Sequence, residues 1–116
     1  MIARIWRGVT ATDRASGFAR YMRRTGVPAC LATRGNRGVV VLRRRLGKSG
    51  RVEFLFVSLW DSAAAIRRFA GPRPERPVYF AADRRYLTSL ARTVRHFDVV
   101  VRREPARKRR SRTRRP

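Results

Sequence analysis

Apolar residues recur along this chain with two different periods. Ile2 to Arg7 alternates apolar or short residues with polar ones at a spacing of two, which predicts a first strand. From Thr12 or Asp13, either of which can cap a helix, the period lengthens. Ala15, Phe18, Ala19 and Met22 stand at i, i+3, i+4 and i+7 with arginines between them, so a helix is expected until Gly26-Val27-Pro28 stops it. Residues 29–38 read as a loop, with Gly35 and Gly38 as turn residues. Val39 to Arg44 and Val52 to Leu59 return to period two around Gly47-Lys48-Ser49-Gly50, a hairpin ending on Trp60. Asp61 and Ser62 then cap a helix with Ala63, Ile66, Phe69 and Ala70 on its apolar side, closed by Gly71-Pro72. Pro72, Pro74 and Pro77 stiffen a connector. A short helix from Asp83 with Tyr86, Leu87 and Leu90 on one side, and a last β-branched strand over Val94–Val101, complete the order.

That order, β-α-β-β-α-(α)-β, is the ferredoxin-like plan: α+β, a four-stranded antiparallel sheet with helices on one face. Strand alternation divides the side chains between two faces. Ile5, Leu55, Val57, Leu59, Phe97 and Val99 form one, almost wholly apolar. Arg4, Trp6, Val41, Phe54, Phe56, Ser58, Trp60, His96 and Asp98 form the other, which is mixed. Helices cover only one face, so a large apolar area stays bare, and pairing with a second copy, sheet against sheet, is expected.

With 116 residues the chain makes one domain, expected over 1–101, followed by a basic tail at 102–116 that holds almost nothing to bury and is expected to be disordered. Net charge is +23; the tail carries nine basic residues against Glu104, and the other 21 basic residues lie in the body against 6 acids. The tail suits nucleic acid or an anionic surface by counterion release, although no nucleic-acid recognition motif accompanies it. The chain has no apolar run long enough for a membrane span and no secretory h-region, so a cytoplasmic location is expected. Cys30 is the only cysteine and His96 the only histidine, which rules out an internal disulfide and a His/Cys zinc cage. No metal site is expected.

Chemistry is carried by few residues. His96 and Asp98 share a strand face and can form a base pair of the Asp–His kind; the plain alternative is a strand histidine bonded across the sheet. Trp60 and Trp6 can wall a pocket for a flat ligand or simply fill the core. Asn36 and Arg37 lie in a glycine-rich loop that matches no phosphate-binding fingerprint. Tyr79, in VYFAAD, can cap a pocket with its hydroxyl or pack at its rim.

The segments IARIWRG (2–8), RTGVP (24–28), GNRGVVVLRR (35–44), EFLFVSLWDSAAAIRRFAG (53–71), VYFAADRRYL (78–87) and VRHFDVVV (94–101) resemble the antibiotic biosynthesis monooxygenase domain family over about residues 1–101. The resemblance implies a homodimeric α+β barrel with a pocket between sheet and helices in each subunit. It further implies a monooxygenase acting on an aromatic or phenolic small molecule without a cofactor. In that reading Arg4, His96 and Tyr79 are catalytic: Arg4 holds a phenolate, His96 helps to deprotonate it, and the carbanion meets O₂. Trp60, Trp6, Phe56, Asn36 and Phe69 bind the substrate. The haem-degrading branch of the family needs an Asn on the first strand, a Trp in the helix after the strand-end Trp, and a His beyond that helix. Here Arg4 and Trp6, Phe69 and Tyr79 stand at those places, so haem is not expected and no cofactor is. Two other functions stay open at this point: a non-catalytic or stress-related binding dimer of the same fold, and a nucleic-acid-associated protein working through its tail.

Overall fold

The computed structural model describes residues 1–106. Strands β1 (Ile2–Ala11), β2 (Asn36–Arg45), β3 (Arg51–Trp60) and β4 (Arg95–Asp98) form one sheet in the order β2-β3-β1-β4. Every neighbouring pair is antiparallel. This is the ferredoxin-like α+β fold. Helices α1 (Thr12–Arg24), α2 (Gly26–Leu31), α3 (Ala63–Ala70) and the single turn α4 (Asp83–Tyr86) complete it.

Several elements differ from the sequence expectation. β1 runs on to Ala11 rather than ending at Arg7, β2 begins at Asn36 inside the stretch expected to be loop, and neither Thr12 nor Asp13 caps α1, whose N-cap is Ala11 with no side-chain cap bond. The chain does not become a loop after Val27. It re-enters a helix, α2, because a proline in the first helical turn gives up only an amide that has no intrahelical partner there. The last strand stops at Asp98 rather than Val101. β1 starts at Ile2 opposite Asp98, and after a single further bond from Val99 N–H to the Met1 carbonyl no edge remains to pair with. Val100 and Val101 consequently lie exposed.

α3 starts as the sequence predicts. The Ser62 hydroxyl accepts from the Ala65 amide at 3.1 Å, satisfying one of the free donors of the first turn. At the far end Gly71 adopts φ 85°, a conformation that favours glycine, and its N–H bonds to the Arg67 carbonyl.

The alternation of β1 and β3 decides which face is covered. Arg4, Trp6 and Thr10 in β1, and Val52, Phe54, Ser58 and Trp60 in β3, are buried beneath the helices. Phe18 and Met22 of α1 pack on Trp6 and Phe54 in one core cluster. Trp60, Cys30, Ala65 and Ile66 form a second, under α3. The mixed face is thus the inner one. The apolar face, with Ile5, Leu55, Val57, Leu59 and the β2 residues Val40 and Leu42, stays open; Val40, Leu42 and Phe97 are about half exposed. At one end of that face Glu53 is clasped by Arg7 and by Arg44, the latter at 2.5 Å.

Gly8 is set by a close approach. The Trp6 ring folds back along β1 so tightly that a Cβ at Gly8 would lie 2.1 Å from the ring. Gly8→Ala is therefore expected to displace Trp6 and lower stability by about 1–3 kcal/mol. Urea unfolding measures the loss, and quenching of Trp6 fluorescence by acrylamide reports the displacement.

Candidate functional site

A cleft opens between the inner face of the sheet and the helices. Arg4 and Trp6 of β1 and Phe56 of β3 form its floor. Phe18 and Met22 of α1, with Thr25 and Gly26 at the α1–α2 junction, form one wall. Phe69 of α3 and the connector residues Val78, Tyr79 and Phe80, followed by Asp83, form the other. Its free volume is about 50 Å³.

Arg4 is the unusual member. Only 4 % of it is exposed, and no carboxylate among the described residues pairs with it. Nη2 donates to the Arg76 carbonyl at 2.7 Å and more weakly to the Pro74 carbonyl at 3.4 Å. The guanidinium lies 5.6 Å from the centre of the Phe69 ring. Nε is buried with no partner. Burial holds the Arg4 pKa below the usual arginine value. Burial also pushes the Cys30 thiol up to about 12, against the opposing pull of the Arg4 charge, so this cysteine is a neutral core residue.

Trp6 and Tyr79 form the next layer. Trp6 Nε1 donates to the Tyr79 hydroxyl at 3.2 Å, and that hydroxyl donates to the Ala91 carbonyl at 2.8 Å. The two rings meet edge to face at 79°. Asp83 shares the VYFAAD segment with Tyr79, but sequence reasoning gave it no chemical role. It is buried, its Oδ2 accepts from the Phe80 amide at 2.6 Å, and burial raises its pKa above the usual carboxylate value. Nothing in the sequence marks Asp83 beyond its place after the Pro-rich connector; only its burial reveals it. Arg4 and Asp83 line the same cleft, yet no ion pair joins them.

The structure brings together Arg4, Trp6, Tyr79, Phe56 and Phe69. It places the other candidates elsewhere. Trp60 is fully buried in the second core cluster, where Nε1 donates to the Ser58 hydroxyl at 2.8 Å and the ring packs on Phe69 at 31°. It does not line the cleft; Phe56 and Phe69, which do, pack against its cluster. Asn36 opens β2, and its Oδ1 accepts from the Gly38 amide at 2.9 Å, a local turn bond away from the cleft wall. His96 lies opposite Arg4 in the β1–β4 register but at an exposed edge, off the cleft wall. Its pKa is lowered by partial burial first and by the Arg4 charge second, with Glu75 opposing. No hydrogen bond joins it to Asp98 among the described residues. No helix among the described residues is long and apolar enough to cross a membrane, and no group of three or more His, Cys, Asp or Glu among them could hold a metal ion.

No family model matches this chain. No curated protein matches it either. Six solved chains match it. One is a crystal structure of a MhuD mutant with two manganese protoporphyrin IX bound per active site, at TM-score 0.57 and 17% identity, covering 90% of this chain and 100% of that one. This corrects the cofactor expectation. The sequence sets haem aside because Arg4, Trp6, Phe69 and Tyr79 replace the residues a haem-degrading relative needs, and the resemblance implies no cofactor. A chain of the same fold nevertheless carries metalloporphyrin in its active site, so the fold accommodates a cofactor and the expectation of none does not stand. At 17% identity the likeness carries the fold, a ferredoxin-like α+β domain spanning nearly the whole of both chains.

Proposed function

We propose that this chain is an antibiotic biosynthesis monooxygenase-like domain whose cleft takes a small aromatic molecule bearing an acidic oxygen. One observation carries the reading: a buried arginine with no carboxylate partner and an unsatisfied Nε, set in an aromatic wall. A buried charge without a counter-charge is costly, and an anionic ligand supplies what the protein does not. Phe69 and Trp6 offer ring surfaces beside it.

Size narrows the ligand. Room of about 50 Å³ admits on the order of four water molecules, roughly 120 Å³ of matter. That is a single substituted ring. Larger ligands need the connector 71–82 to move, and that connector is tied to Arg4 through the carbonyls of Pro74 and Arg76. A porphyrin is far larger than the cleft as it stands. Its carboxylates match Arg4 in charge and its plane matches Phe69 and Trp6, and the chemistry it brings when bound is a redox-active metal centre.

The roles follow from position. Arg4 holds the oxyanion by a charge-assisted hydrogen bond. Asp83, whose raised pKa suits a proton acceptor, takes the proton of the acidic hydroxyl. In the oxygenase form of this reading, the ring carbon para to the hydroxyl gains one atom of O₂. The two hydrogens lost from the phenol leave with the other atom as water, and a quinone results. A second reading, a binder without turnover, is favoured by His96 lying off the cleft wall. Equilibrium titration of the full chain with 4-nitrophenol and with haemin tests binding. An oxygen electrode with phenol and 2-methylphenol, both free at the para position, separates enzyme from binder. Failure of both 4-nitrophenol and haemin to bind refutes the cleft reading.

The reading includes a homodimer formed through the open face of Ile5, Leu55, Val57, Leu59 and Val40. A second copy is the partner of matching chemistry: it brings an equally broad apolar sheet face, bounded by the same Arg7–Glu53–Arg44 cluster. Val57, opposite Ile5 and Val40 in the sheet register, sits at its centre. Val57→Arg is expected to halve the solution mass measured by light scattering; an unchanged mass for variant and wild type counts against this interface.

A further inference from the structure

A second concavity lies at the other end of the sheet, remote in composition from the aromatic cleft. Arg43, Arg44 and Arg45 of β2 form one side, Thr12, Ala15 and Ser16 of α1 the other, and Val52 the floor, around a volume of about 340 Å³. Arg44 is committed to Glu53. Arg43 and Arg45 have no carboxylate partner among the described residues. They stand two positions apart on one strand, about 6.8 Å at the usual rise, a spacing of the order of the phosphodiester repeat. Thr12 and Ser16 supply exposed hydroxyls across from them. Asp13, in the first turn of α1, is a nearby acid.

From this arrangement we propose that the Arg43–Arg45 cleft binds the sugar–phosphate backbone of a nucleic-acid strand. Guanidinium and hydroxyl donors are the groups that hold phosphates, and they fix a strand without reading its bases. No aromatic side chain lines the cleft, so no base-stacking platform is available and binding is independent of sequence. The body of the chain is basic in its own right, which raises the local concentration of any polyanion. This site is separate from the basic stretch 107–116, which lies outside the described residues, and it does not depend on the aromatic cleft.

The test uses the full chain and a fluorescent single-stranded oligothymidine of about 20 nucleotides, with affinity measured from about 50 to 200 mM salt. Two double variants are compared: Arg43→Ala with Arg45→Ala, and Arg20→Ala with Arg23→Ala on the exposed side of α1. Both remove two charges and both keep the tail. Loss of two phosphate contacts at the cleft is expected to make the slope of log affinity against log salt shallower by about 1.4, with little change in the α1 variant. Equal changes in the two variants, or no change in either, overturn the proposal.

Discussion

Arg4→Met is expected to weaken binding of a small aromatic anion by about 10- to 150-fold while leaving the protein as stable as before or slightly more so. The two effects arise from the same feature. A hydrogen bond from a charged group to an anion contributes about 1.5–3 kcal/mol, and methionine cannot make it. In the unliganded protein, however, the guanidinium is buried without a counter-charge. Replacing such a group by an apolar one of similar volume is often neutral or stabilising. Against that gain stands the loss of the bonds to the Arg76 and Pro74 carbonyls. The net change is put at about 0–2 kcal/mol in favour of the variant. Thermal unfolding and ligand titration on the same samples check both halves. A variant that melts far lower, and binds less only because it is unfolded, would show Arg4 to be a structural strut of the connector.

Trp60→Ala is expected to have the largest effect on stability, a loss of about 3–5 kcal/mol and a fall in melting temperature of at least about 12 °C. Trp60 is fully buried against Cys30, Ala65, Ile66 and Phe69, and its removal leaves a cavity under α3 and takes away the donor to the Ser58 hydroxyl, which keeps only its weak 3.4 Å bond to the Arg4 carbonyl. With total stabilities of about 5–15 kcal/mol, that brings the domain close to unfolding. Trp60→Phe separates a structural from a binding role. It keeps the bulk, gives up one hydrogen bond of about 1 kcal/mol, and is expected to leave ligand affinity within about twofold. A large loss of affinity in that milder variant would move Trp60 into the site.

The elements were legible where periodicity was unambiguous. The three long strands, α1 and α3 each announce themselves by spacing, and the Ser62 cap and Gly71 stop fix α3 to the residue. α2 was hidden because Pro28 reads as an end, although a proline is harmless at that turn. The last strand was overread because Val99 to Val101 have β-branched chains; what they lack is a neighbouring strand, and that is set by where β1 begins. For the site, alternation alone put Arg4, Trp6 and Phe56 on one face. It could not tell the covered part of that face from its edge. His96 has the same parity as Arg4 but sits on the short edge strand β4, and Trp60 has the same parity but lies beneath α3. Asp83 was unreadable as a site residue, since its significance is its burial alone.

The ionisation of a bound phenol gives the sharpest test of the Arg4 cleft, because 4-nitrophenol changes colour when it loses its proton. Titrated in the presence of saturating wild-type protein, its pKa is expected to fall below the free value, since a buried cation favours the charged form of its partner. With Arg4→Met the shift should vanish or reverse, because an apolar site disfavours the anion. A bound phenol whose pKa is unshifted or raised in the wild-type protein, or shifted equally in the variant, would mean that Arg4 does not hold the oxyanion.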